Sequence, residues 1–238
     1  MAIPSAVSQL MSMLLRRYLI ASSRCPATAA PQAKLYHVAL TRPCACALLA
    51  ASIASRKDFS AYYSGVVFEL KPNPDRSWTE SVLYSFTGAA DGAHPSAGLV
   101  LNGAGNLYGT TFEGGACAES DAGCGVVFKL APDPAGTWTE SVVHSFTGGA
   151  DGAAPSSGLV FDSTGNLYGT TAAGGADGYG VVFKLTSTSS GWSESVLHTF
   201  MGSGKYPEAP VIFDRAGNLY GTTLSGSTNS GVVFEITR

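Results

Sequence analysis

The sequence predicts an all-β chain, a β-propeller-type array of four-stranded antiparallel blades, and three observations carry that prediction. Gly105–Thr111 reads GNLYGTT, and the same seven residues return at Gly165–Thr171 and Gly217–Thr223. Three further elements recur around them in fixed order, each short and rich in Val, Phe, Tyr, Thr and Leu. Glycine, proline, Asn or Asp bound every one of them, which is strand chemistry and not helix chemistry. Four short strands repeated at such a period are the pattern of a propeller blade.

The first element reads GLVL at Gly98, GLVF at Gly158 and PVIF at Pro210. It is followed by Asn102, Asp162 or Asp214, and three residues later by Gly105, Gly165 or Gly217. An Asn or Asp side chain accepts a hydrogen bond from the backbone two residues on, and glycine then supplies the left-handed conformation that closes a hairpin. Asp162 and Asp214 are therefore read as turn formers, since Asn102 fills the same place without charge. The second element is NLYGTT, whose internal glycine at 109, 169 and 221 weakens a lone strand but permits close approach by a neighbour.

The third element, GVVF-[EK]-[LI], stands at Gly65, Gly125, Gly180 and Gly231, so its spacing shortens from 60 to 51 residues. An unbroken apolar run of this kind belongs to a strand covered on both faces, as in a blade between two others. The fourth element reads SWTESVLYSF from Ser77, TWTESVVHSF from Thr137 and GWSESVLHTF from Gly191. Two strands, two complete blades and three more strands make about three to three and a half blades beginning near Ala61. Closed propellers have four to eight. The expected architecture is an open, incomplete arc, or a ring closed by a partner chain.

GNLYGTT, GVVFKL and the SFTG-x-x-DG-x-x-P connection resemble the Gloeo/Verruco (GloVer) tandem repeat, and the blades are similar to those of the NHL type. The resemblance covers residues 61–238. It implies a bacterial protein that is secreted or displayed at the cell surface, with the GLVF strand nearest a central channel. It brings no catalytic residues. The chain departs from the family pattern at Arg238, where no anchor follows, and in its unrelated first 60 residues.

Those 60 residues obey other rules. All 29 glycines lie after Ser60, and residues 1–60 hold seven Lys/Arg against Asp58 alone, a balance of +6 within a net charge of −3. Residues 1–60 are read as a separate, mostly disordered N-terminal segment and 61–238 as the repeat domain. The run LMSMLLRRYLI can form one short helix, which is marginal in water when isolated. Around Arg42–Ser55 a basic flank, an apolar run and small residues give a signal-like segment. The loss of the repeat pattern before AYYSGVVFEL equally fits a frame-shifted beginning, and both readings stand.

The acidic repeat domain has only scattered cations, so nucleic acid is excluded as a partner. No apolar run reaches eighteen residues, so no transmembrane helix is expected. Asp91 and Asp151 recur in the strand-four connection and invite a cation, but the third copy has Lys205 nearby and no Asp; a turn role is read there. Glu80, Glu140 and Glu194 are read as outer-edge charges that discourage strand pairing. Trp78, Trp138 and Trp192 are able to stack on sugars if exposed, but are read as packing anchors. His144 and His198 share a position with Tyr84, an aromatic slot and not a metal site; His94 and His37 are isolated.

No G-x-S-x-G, HExxH or P-loop occurs. No catalytic, cofactor-binding or metal-ligating set is expected. Cys117 and Cys124 flank AESDAG in a loop longer than its counterpart, and are read as a structural disulfide, a sign of an oxidising compartment. Function narrows to a non-catalytic secreted or surface repeat protein that binds an unknown protein or glycan. The alternative is a propeller hydrolase of lactonase type with a channel metal.

Overall fold

The computed structural model describes residues 39–40, 48–52, 64–117, 123–226 and 230–237. The helix expected over residues 10–20 and most of residues 1–60 lie outside these. Among the described residues every regular element is a strand. The chain is an all-β, β-propeller-type array of antiparallel blades.

The first sheet joins β1 (Ala39–Leu40), β2 (Leu48–Ser52), β3 (Val66–Pro72) and β4 (Trp78–Ser85) in that order. The second joins β5 (Val100–Leu101), β6 (Leu107–Thr111), β7 (Val126–Pro132) and β8 (Trp138–Ser145). The third joins β9 (Val160–Phe161), β10 (Leu167–Thr170), β11 (Val181–Thr188) and β12 (Gly191–Thr199). β13 (Gly204–Lys205) then precedes β14 (Ile212–Phe213), β15 (Leu219–Thr222), β16 (Ser225–Gly226) and β17 (Val233–Ile236). Here β14, β15 and β17 form a three-stranded sheet, while β13 pairs with β16.

The second and third sheets follow the repeat elements one by one. The first sheet has two strands more than the motifs announce: β2 runs antiparallel to β3, Leu48 opposite Leu70 and Ser52 opposite Val66. Both β1 and β2 lie before Ala61. A ladder asks only for an extended backbone, and Leu48–Ser52 meets that need without glycine or the LYGTT motif.

The glycine inside each second strand stands directly opposite a phenylalanine of the third: Gly109 faces Phe128, Gly169 faces Phe183, Gly221 faces Phe234. A Cβ added at Gly109 would lie 2.6 Å from the Phe128 ring and 2.8 Å from Leu99. The space that sequence reading assigned to an approaching neighbour is thus filled by an aromatic ring of the same blade. Gly109→Ala is expected to overpack this site and cost about 1–3 kcal/mol. Urea denaturation measures the loss, and unchanged stability would contradict the packing described.

Blades bury one another. Val67 and Phe86 of the first pack against Leu107, Phe128 and Leu130 of the second. Tyr108, Val127 and Phe146 of the second pack against Leu167, Phe183 and Leu185 of the third. Tyr168, Val182 and Phe200 repeat the contact onto Leu219. At every seam a phenylalanine from the end of one blade meets the third-strand phenylalanine of the next edge-on, at 5.0, 5.1 and 5.0 Å. Each buried ring contributes about 1.5–3 kcal/mol.

The two threonines of GNLYGTT have separate tasks. Thr110 Oγ1 donates to Ser157 O in the approach to the next blade, and Thr170 Oγ1 donates to Pro207 O likewise, both at 3.0 Å. Thr111 Oγ1 donates to Glu113 O and accepts from the Val126 amide, closing the loop between strands two and three. Thr171 and Thr223 do the same.

Candidate functional site

In each antiparallel meander the turns after strands one and three share one edge, and the remaining connections share the other. The blades therefore have a hairpin face and a loop face, and the polar chemistry divides between them.

On the loop face Asp91 holds its own connection. Its carboxylate accepts from the Thr87 amide at 2.7 Å, the Thr87 hydroxyl at 2.5 Å and the Tyr84 hydroxyl at 3.0 Å. Burial pushes this carboxyl up, but these hydrogen bonds outweigh it and hold it below the usual range. Asp151 accepts from Thr147 in the same manner. Gly92 and Gly152 then press the connection against Thr111 and Thr171. Both aspartates act as turn formers. In the third copy β13 and β16 replace this arrangement, and the Lys205 amine sits 4.1 Å above the Tyr179 ring.

Cys117 and Cys124 are disulfide-bonded with Cα atoms 5.5 Å apart, in the loop between β6 and β7. His94 Nδ1 lies 3.0 Å from Glu113 Oε2. The sequence shows His94 as isolated because its partner stands 19 residues on, in a different connection. His144 and His198 meet Phe146 and Phe200 edge-on at 4.7 and 4.8 Å, and Tyr84 meets Phe86 at 5.1 Å. That position is an aromatic packing slot.

Glu140 and Glu194 require a correction. The sequence presents them as outer-edge charges that discourage strand pairing, and they do stand on the outer strands, but of the three only Glu80 is exposed. Glu140 and Glu194 are half-buried, and Oε1 of each is buried without a hydrogen-bond partner. Burial first, then the charge of Asp91, pushes the Glu140 carboxyl up to about 7. Burial and Asp151 push Glu194 to about 7 as well. The reason is topological: the aspartate of one blade's exit connection comes to lie beside the outer strand of the next.

A carboxyl whose native pKa is raised binds its proton more tightly when folded. Its stabilisation is complete below the unfolded value of 4.5 and disappears as pH rises through about 7. His144, whose pKa burial lowers against the pull of Asp151, has the opposite effect and loses stability as pH falls below 6.5. Tyr84 takes the corresponding place beside Asp91, so the Glu140 seam has no such opposition. Thermal melts are expected to show falling stability from about pH 5 to pH 8, with a shallower slope in Glu140→Gln. Equal slopes in the two proteins would contradict the assignment.

On the hairpin face, Asp162 Oδ1 accepts from the Thr164 and Asn166 amides, and Oδ2 from Asn166 Nδ2 and the Tyr168 hydroxyl. Burial raises this carboxyl, and the hydrogen bonds from Asn166 and Thr164 overcome it and hold it far below the usual range. Asp214 repeats the turn with Ala216 and Asn218, as does Asn102 with Ala104 and Asn106. The turn reading of all three holds.

Among the described residues, an open groove lies on this face at each of the last two seams. The larger, about 490 Å³, runs between the second and third blades and is lined by Asn102, Tyr108, Phe161, Thr164, Ser187 and Trp192 among others. The smaller, about 250 Å³, lies between the third and fourth and includes Tyr168, Lys184, Phe213 and Ile236. Sequence reading did not find either, because each takes its walls from two repeats. Trp138 packs into the first seam, while Trp192 meets Tyr108 edge-on at 6.0 Å and Trp78 is 39% exposed.

Four-stranded blades in series, sealed by apolar seams and carrying their polar groups at the blade ends, define a β-propeller-type repeat protein. The model of the Gloeobacter/Verrucomicrobia repeat family matches residues 53–238, and the chain belongs to that family. No curated protein matches the sequence. Among solved structures, a gluconolactonase from Xanthomonas campestris is similar at 15% identity and a TM-score of 0.42, over 74% of this chain and 59% of its own. A Dyadobacter fermentans protein of unknown function is similar at 12% identity and a TM-score of 0.45, over 75% of this chain and 58% of its own. A candidate 6-phosphogluconolactonase from Bacteroides uniformis is similar at 13% identity and a TM-score of 0.43, over 80% of this chain and 53% of its own. The chain thus spans less than two thirds of the length of each.

Proposed function

We propose that the chain is a non-catalytic binding scaffold of the bacterial cell surface or exterior. One observation carries this reading: the edge strands β5, β9 and β14 are Val-Leu, Val-Phe and Ile-Phe, with no ionisable side chain among them. A metal-dependent hydrolase of this architecture needs acids or imidazoles there to hold an ion and activate water. Among the described residues no group of three or more His, Cys, Asp or Glu stands close enough to hold a metal. The activity of the Xanthomonas protein stays with that protein, since so distant a likeness transfers no site.

Export is supported by the Cys117–Cys124 disulfide, which persists in oxidising compartments. Among the described residues no helix is long and apolar enough to cross a membrane. The test is elemental analysis of the purified full chain together with an assay on glucono-δ-lactone. The expected result is no stoichiometric divalent ion and no turnover above buffer. A tightly bound ion with turnover abolished by chelation would replace the scaffold with the hydrolase.

A further inference from the structure

We infer that the groove at the seam of the second and third blades binds a neutral pyranose sugar, with Trp192 as its stacking platform. This deepens the scaffold reading and rests on it.

The first observation is a substitution within the repeat. β4 opens with Trp78 opposite Pro72, and β8 opens with Trp138 opposite Pro132. In the third blade the residue opposite Trp192 is Ser187. Directly opposed residues have Cβ atoms about 4.5–5.5 Å apart, close enough for a proline ring to lie against the indole. Serine puts a small polar side chain in place of that ring and sets an exposed residue beside the half-buried indole.

The second observation is the composition of the groove. Trp192 and Phe161 are half-buried and gather around the buried Tyr108 ring, Phe161 at 5.3 Å and Trp192 at 6.0 Å. Around these aromatics stand Asn102, Ser163, Thr164 and Ser187, all neutral hydrogen-bonding side chains. An apolar floor with a neutral polar rim matches a pyranose, whose C–H face is apolar and whose edge is a ring of hydroxyls.

The third observation is charge. Among the described residues that line this groove, Asp162 is the one ionisable acid or base besides the buried Tyr108, and both its oxygens are engaged by the turn. With no Lys or Arg among the described lining residues, phosphates and sulfates find no partner there. The groove of about 490 Å³ falls within the range of small-molecule sites. The equivalent groove at the next seam has about half that volume, no tryptophan, and the Lys184 amine 5.7 Å from the Tyr168 ring. Of the two grooves described, this one carries the tryptophan platform.

The test titrates the purified full chain with cellohexaose, maltohexaose, xylohexaose and chitohexaose, followed by tryptophan fluorescence and calorimetry. At least one is expected to bind with a stoichiometry of one and to perturb the emission. Trp192→Ala is expected to weaken binding roughly tenfold or more, a loss of about 1.4 kcal/mol. Ser187→Pro restores the pairing of the other two blades, so it is expected to fold normally and yet abolish binding. Trp138→Ala is expected to leave affinity unchanged. Failure of all four sugars to bind up to about 1 mM, or equal affinity in Ser187→Pro, would overturn the inference. Neither outcome touches the scaffold reading, which falls only to a bound metal with lactone turnover.

Discussion

Phe183→Ala is expected to destabilise the chain by about 3–5 kcal/mol, a large part of the 5–15 kcal/mol typical of a folded domain. Phe183 is completely buried in β11, at the centre of the seam between the second and third blades. Its ring covers Gly169 on the partner strand, lies against Leu159 beside that glycine, and meets Phe146 of the preceding blade. Removing it opens a cavity bordered by a glycine, which has no side chain to move in. Relaxation is therefore poor, and the cost belongs at the upper end of the range for phenylalanine. Urea denaturation at neutral pH gives the value. A loss below about 1 kcal/mol would mean that the seams carry little of the stability.

Loss of the Cys117–Cys124 bond has the next largest expected effect. The cysteines are 7 positions apart, and closing so short a loop in the unfolded chain corresponds to about 2–3 kcal/mol. The double variant Cys117→Ser, Cys124→Ser is expected to lose that amount, as is the wild-type chain under reducing conditions. Reductant should leave the serine variant unchanged. If reduction lowers the stability of both proteins equally, the bond is not the origin of the effect.

The repeated motifs made the blades legible because each combines a strand-forming run with its own turn. Asn102, Asp162 and Asp214 followed by glycine at a fixed offset mark hairpins whose hydrogen bonds are all present. The internal glycines were legible as points of close approach, but not the occupant: only the register places Phe128 opposite Gly109. β2 was hidden because Leu48–Ser52 has neither glycine nor the motif and shows its role only by pairing with β3.

The site was less legible for a different reason. Glu140 and Asp91 belong to successive repeats, so their proximity depends on how one blade sits on the next. The groove beside Trp192 likewise draws on two blades. Its one sequence signal was Ser187 standing where Pro72 and Pro132 stand in the other copies. That signal acquires meaning only when the hairpin register sets it across from the tryptophan.

The fold rests on a repeat that is a building unit unable to bury its own faces. The most direct measurement is thermal unfolding of a single blade, residues 98–146, expressed alone and followed by circular dichroism beside the full chain. Phe128 and Val127 lie on opposite faces of that blade, each buried by a different neighbour. The account predicts no cooperative transition for the isolated blade and a clear one for the full chain. A cooperative transition in the blade alone, near that of the full chain, would show that the seams do not hold the fold together.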